Sequence, residues 1–166
     1  AWEAARCFVP DAEWVHQVLP ARPPDAHKGT FGTCLVIAGS VNYTGAAYLA
    51  GQAAYRVGAG LVTLAVPAPL HTALAGQFPE ATWAALPHEN GFIAADASNA
   101  VIEYLQRATA VLIGPGFGLE RSTQLFLEKL LASLPAAGHS FPSAWVADAD
   151  GLKLLARLPD WSTRLP

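Results

Sequence analysis

Three turns carry the residue types and spacing from which a ligand site could be built. Gly39-Ser40-Val41-Asn42-Tyr43-Thr44-Gly45 follows the apolar run Leu35-Val36-Ile37-Ala38 and leads into Ala46-Ala47. Glycine lets a backbone come close to a ligand, and a helix starting here offers free N–H groups to an anion. No Gly-Lys-Ser/Thr follows and the glycine spacing is not that of a dinucleotide fingerprint, so the turn is neither standard phosphate loop. An ordinary capped strand-to-helix turn would use the same residues. Gly114-Pro115-Gly116-Phe117-Gly118 comes after Val111-Leu112-Ile113; three glycines around a proline would leave backbone amides bare, as in an anion nest, or would supply positive φ angles for a tight turn. Asp148-Ala149-Asp150-Gly151-Leu152 offers two carboxylates. They could orient a ribose hydroxyl, hold a magnesium ion or act as base, unless Asp150 only caps the last helix and Asp148 only supports its loop.

A fourth segment, His27-Lys28-Gly29-Thr30-Phe31-Gly32, places a basic pair beside glycines. It could close over phosphates, and a solvated loop explains it equally. His16, His71, His88 and His139 have no partner at ligand spacing, so no metal site is expected. Cys7 and Cys34 suit neither a disulfide framework nor a Cys-His nucleophile; Cys34 opens a buried strand, where a thiol behaves as a small hydrophobe. A reducing, cytoplasmic setting follows as the expectation.

These turns need a scaffold that sets them side by side, and the pattern of the chain supplies one. Strands are predicted over Thr33 to Ala38, Leu61 to Val66, Ala81 to Leu86, Ala110 to Ile113 and Ala144 to Ala147. Helices are predicted over Thr44 to Val57, Leu70 to Gln77, Asp96 to Arg107, Arg121 to Leu134 and Asp150 to Arg157. Alternation of this kind gives a largely parallel sheet with helices on both faces, whose ligands bind outside the carboxyl ends of the strands. All three turns fall there. Within the first helix, Thr44 is the expected cap, and Ala46, Ala50, Ala53 and Val57 the expected small-residue face toward the sheet; Arg56 and Gly58 end it. Leu127, Leu130, Leu131 and Leu134 make the core stripe of the fourth, which Pro135 ends before a loop at Ala136 to Pro142. Residues 1–25, with Trp2, Trp14 and a Pro20-to-Pro24 run, read as a lead-in arm or linker, leaving 26–166 as one domain.

Of 166 residues, 52% are hydrophobic and only 14% charged, below the usual quarter or so for soluble domains, so some apolar surface is expected to be covered by subunits or by further chain. The absence of methionine points the same way, to a portion of a longer sequence. A net charge of −3 with scattered basic residues lacks the footprint of a nucleic-acid binder. No apolar run is long enough to span a bilayer as a helix.

Taken in order and spacing, His27 to Gly32, Leu35 to Ala47, Val57-Gly58-Ala59-Gly60-Leu61-Val62, Gly114 to Gly118 and Asp148 to Leu152 resemble the ADP/ATP-dependent NAD(P)H-hydrate dehydratases. The resemblance covers Leu19 to about Leu155 and implies a ribokinase-like three-layer α/β/α fold, here its amino-terminal half. It further implies repair of hydrated NADH or NADPH, by phosphorylation of the ring hydroxyl at the expense of ADP or ATP with Mg2+ and elimination of phosphate. It assigns the substrate to Asn42, Gly45, Ala46, Ala47, Gly114, Gly116, Gly118 and Asp148, and adds Lys28 and Thr30 on the nucleotide side. A homo-oligomer, by analogy a tetramer, and an upstream epimerase domain are also implied. Gly151 stands where the family more often has Ala, and Lys153 where Asn is frequent. The catalytic Asp, with the phosphate-binding turn, is expected beyond Pro166. The same residue pattern leaves room for a ribokinase-like kinase of a hydroxymethylpyrimidine or hydroxyethylthiazole type, or for a non-catalytic nucleotide-binding module.

Overall fold

The structure, a computed structural model, describes residues 9–134, 142 and 144–164. Trp2, Cys7, Pro135, His139 and nearly all of the loop expected before Pro142 lie outside the described residues. Strands β1 (Thr33–Ile37), β2 (Leu61–Pro67), β3 (Thr82–Leu86), β6 (Ala110–Ile113) and β7 (Ala144–Ala147) form one parallel sheet in the order β3-β2-β1-β6-β7. A two-stranded antiparallel hairpin, β4 (His88–Glu89) with β5 (Phe92–Ile93), stands apart from it.

Successive strand residues point to opposite faces, so each buried strand feeds two cores. Leu35, Ile37, Val111 and Ile113 point to one, which is closed by α4 (Ala97–Leu105), α5 (Arg121–Ser133) and α6 (Asp150–Leu155). Val36, Val62, Leu64 and Val66 point to the other, under α2 (Thr44–Val57) and α3 (Ala68–Leu74). The stripe Leu127, Leu130, Leu131 and Leu134 is buried as its spacing predicts, joined by Phe126.

Three local expectations are corrected. Thr44 is the first residue of α2, while Tyr43 occupies the cap position and makes no side-chain bond to the helix. The face that α2 turns to the sheet is set by Ala47 and Gly51, whereas Ala53 is exposed and Val57 is 77% exposed. Gly51 explains the difference: a Cβ there would lie 2.8 Å from Phe78 and 2.9 Å from Leu64, so the helix rests on its glycine rather than on the alanine series. The hairpin β4–β5 is absent from the predicted elements, although Asn90 (φ 51) and Gly91 (φ 83) are the Asn-Gly pair that a two-residue type I′ turn requires. Before the sheet, α1 (Ala12–Val18) forms within the arm, started by the Asp11 carboxylate accepting from the Trp14 amide at 2.8 Å; none of its residues is buried.

The strand order decides where a ligand can enter. From β1 the chain moves outward to β2 and β3, then returns to lay β6 on the other side of β1, pairing Ile37 with Ile113. Between β1 and β6 the connections leave in opposite directions, α2 toward one face and α5 toward the other. Such a switch point opens a crevice at the carboxyl ends of the two strands.

Candidate functional site

The turn after β1 and the turn after β6 are locked together backbone to backbone. The Gly39 amide donates to the Pro115 carbonyl at 2.8 Å, and the Gly114 amide to the Ile37 carbonyl at 3.1 Å. From the hairpin, the Gly91 carbonyl accepts from the Val41 amide at 2.9 Å, so the loop 40–43 is held from two sides. Phe117 is fully buried beneath its turn, edge-on to Phe126 at 6.1 Å.

Each glycine of the β6 turn faces a different wall. A Cβ at Gly114 (φ 117) would strike the Asp148 carbonyl and the Gly151 backbone; at Gly116 (φ 68) it would lie 2.7 Å from the Ala46 methyl and 2.9 Å from the Tyr43 Cβ. At Gly118 (φ 73) it would lie 2.7 Å from the Phe92 ring. Steric need therefore accounts for all three, and bare amides for only one. The Gly118 amide donates to the Asp150 carboxylate at 3.1 Å and the Phe117 amide to the Gly114 carbonyl at 3.2 Å, leaving the Gly116 amide without a partner among the described residues.

Beside Gly116 begins α2. Asn42, Tyr43, Thr44 and Gly45 are exposed, no side chain caps the helix, and its positive dipole end opens on the crevice. Gly45 differs from the other glycines of the site. It has no positive φ, and a Cβ added to it would meet nothing within 4 Å. In a helix, glycine disfavours the fold by roughly 0.5–1 kcal/mol relative to alanine.

Of the expected substrate residues, Ala46 lies against Gly116, and Asn42 and Gly45 are exposed beside it at the start of α2. Ala47 is fully buried under the helix, and Gly114 and Gly118 are buried within the turn, so these three shape the crevice without lining its opening. Asp148 is exposed at the end of β7, its carbonyl closing a turn on the Gly151 amide at 2.9 Å. Asp150, expected as a helix cap, does not fill that position: Ala149 stands there, at φ 48 and ψ −117. Lys28 and Thr30 lie at the opposite end of the sheet. Lys28 is exposed, its carbonyl pressed against Gly60 ahead of β2, and the Thr30 hydroxyl accepts from the His27 amide at 3.1 Å. That end receives the carboxyl terminus of α2, whose Gly58 carbonyl is met by Arg22 at 3.1 Å.

Pockets open elsewhere, on the flank of α2 between Gln52, Tyr55, Phe78 and Glu80, and around Arg22, His27 and Lys28. The first is apolar and the second faces a helix carboxyl end, which favours cations over anions. Among the described residues, no group of three His, Cys, Asp or Glu side chains could hold a metal ion, and no helix is long and apolar enough to cross a membrane.

The family model for NAD(P)H-hydrate dehydratase, of the carbohydrate-kinase group, matches residues 34–165. The chain belongs to the NAD(P)H-hydrate dehydratase family. It is 38% identical over 139 residues to a bifunctional NAD(P)H-hydrate repair enzyme of Salinibacter ruber, covering 82% of this chain and 24% of that one. To an ADP-dependent (S)-NAD(P)H-hydrate dehydratase of Lactiplantibacillus plantarum it is 34% identical over 145 residues, covering 87% and 47%. Among solved structures, the Bacillus subtilis ADP/ATP-dependent NAD(P)H-hydrate dehydratase co-crystallised with ATP/Mg2+ superposes with TM-score 0.62 at 31% identity, over 84% of this chain and 45% of that one. A ribokinase-like superfamily protein of Enterococcus faecalis gives 0.70 at 26% identity, over 86% and 45%. The chain thus spans about a quarter of the bifunctional dehydratase relatives and under half of the others. The ribokinase-like α/β architecture is that of these neighbours.

Proposed function

We propose that this dehydratase-family chain forms one wall of a hydrated NADH or NADPH site in an enzyme that restores the reduced cofactor. The observation that carries the reading is Gly45: a glycine that no contact among the described residues requires, at the open start of α2, close to a Gly116 amide that has no partner among them. A dinucleotide offers the anionic, close-fitting backbone partner that such a place accommodates.

In this reading the ring hydroxyl of the S-epimer takes the terminal phosphoryl group of ADP or ATP. Phosphate then leaves with its C–O bonding pair as the neighbouring carbon loses a proton, and the ring double bond returns. The residues of this chain hold and orient the dinucleotide through Gly116, Gly45 and Ala46, with Asn42 and Asp148 at the rim. A magnesium ion would arrive on the nucleotide phosphates, since the described residues provide no cage of their own. Lys28 and Thr30, at the far end of the sheet, are assigned to the nucleotide side by the family resemblance alone.

The protein is further read as cytoplasmic, as a homo-oligomer, by analogy a tetramer, and as a partner for an upstream epimerase domain. Low charge and exposed Trp14, Val18, Leu49 and Val57 support a covered surface, and the bifunctional relatives support the fusion. The test is to incubate the full-length protein with hydrated NADPH and ADP and follow reduced-nicotinamide absorbance. Recovery is expected; no recovery together with phosphorylation of a thiazole or pyrimidine alcohol would replace this reading with a kinase.

A further inference from the structure

The Asp150 carboxylate reaches outside its own helix. One oxygen accepts from the Gly118 amide at 3.1 Å, thirty-two positions earlier, and the other from the Lys153 ammonium at 2.8 Å. Its side chain is 15% exposed, against 62% for Lys153. The geometry that brings it there is strained. Ala149 adopts φ 48, ψ −117, the first central position of a type II′ turn, which favours glycine. Such a residue costs of order 1–3 kcal/mol and persists only where its surroundings over-determine it. Here they do: the Asp148 amide donates to the Ile113 carbonyl at 3.0 Å, and Gly114 and Gly151 meet with no room for a Cβ on either.

A turn with three positive-φ glycines has little stiffness of its own. Phe92 blocks Gly118 on one side, and the carboxylate bond fixes its amide from another. A backbone amide held by an ionised acceptor makes a bond stronger than its neutral counterpart.

We infer that Asp150 is a positioning residue for substrate binding: by holding the Gly118 amide it sets the glycine turn, and with it Gly116, beside the start of α2. The inference rests on the proposed dinucleotide site, but the latch itself can be read without any substrate. Asp150→Ala, Asp150→Asn and Lys153→Ala are made in the full-length protein. Two quantities are measured: amide hydrogen exchange at Gly118 without ligand, and KM against kcat for hydrated NADPH with ADP. For Asp150→Ala, exchange at Gly118 is expected to quicken and KM to rise, each by about tenfold or more, with kcat changed far less. Asp150→Asn keeps an oxygen for the amide and is expected to recover most of both, while Lys153→Ala leaves both near wild type. Should Asp150→Ala fail to fold, Asp150→Glu, which displaces the carboxylate by one methylene, is expected to loosen Gly118 in the same sense. Wild-type exchange at Gly118 in a folded Asp150→Ala protein overturns the latch. Loosened exchange with an unchanged KM overturns its role in binding. Equal impairment in all three variants overturns the amide bond as the cause and assigns the effect to the ion pair. Absence of turnover by the wild type defeats the dehydratase reading, and the exchange measurement still decides the latch.

Discussion

The two ends of the sheet carry similar sequence and opposite chemistry. At the amino end, His27-Lys28-Gly29-Thr30-Phe31-Gly32 and Gly58-Ala59-Gly60 bring glycines, a lysine and tight backbone contacts; at the carboxyl end, Gly39 to Gly45 and Gly114 to Gly118 do much the same without the lysine. At the amino end several backbone amides find partners: that of Gly60 the Phe31 carbonyl, that of Leu61 the Gly32 carbonyl, that of Thr33 the Thr109 hydroxyl. At the carboxyl end the Gly116 amide has no partner among the described residues and stands beside an uncapped helix start. The difference comes from helix polarity. In a parallel sheet the connecting helices begin at the carboxyl ends of the strands and finish at the amino ends, so positive dipole ends gather on one side only. A basic side chain in a glycine loop is a weaker guide to an anion site than the direction in which the helix runs.

That comparison can be broken most forcefully through the tightest glycines. Gly114→Ala and Gly60→Ala each drive a Cβ into backbone, so both are expected to lose roughly 3 kcal/mol or more of stability, measured by urea denaturation. Loss at one end only would mean that the two turns are not built alike. Gly45→Ala separates structure from ligand. It is expected to raise stability by roughly 0.5–1 kcal/mol, because a helical glycine is replaced in open space, and to weaken hydrated-NADPH binding by about tenfold in calorimetry. Lys28→Ala at the other end is expected to leave that binding unchanged.

Two smaller effects sharpen the picture. The Ser40 hydroxyl is fully buried with no hydrogen-bond partner among the described residues, so Ser40→Ala is expected to be neutral or stabilising by up to about 1 kcal/mol in thermal melts. The Asp150 carboxylate, through its hydrogen bond and charge, raises the Lys153 ammonium above its ordinary value of 10.5. A raised lysine contributes stability that is fully present below the unfolded value and is lost as pH rises through the folded one. The difference between wild type and Lys153→Ala is therefore expected to be flat from pH 6 to about 9 and to shrink only in stronger base; a difference that changes near neutrality would assign the pair another partner.

Much of this is legible in the sequence. The apolar runs at Leu35, Val62 and Val111 and the leucine stripe of α5 announce buried strands and a packed helix, because period and burial are local properties. The strand order is not, since nothing in β6 itself says that it returns beside β1. The Asn90-Gly91 pair does signal a turn, but flanking strands of two residues carry too little pattern to mark a hairpin. The glycines of residues 114–118 stand out in the sequence, while the neighbour that each one accommodates, Asp148, Ala46 or Phe92, is fixed only by the fold. Asp150 reads as a cap for the same reason: its amide partner lies thirty-two residues away.

The central claim is that the carboxyl end of β1 and β6, and not the basic glycine loop at the other end, receives the dinucleotide. Amide hydrogen exchange of the full-length protein with and without hydrated NADPH measures this directly. Slowed exchange at Asn42 to Ala46 and at Gly116, with His27 to Gly32 unaltered, is the expected result. Protection confined to His27 to Gly32 would contradict the account.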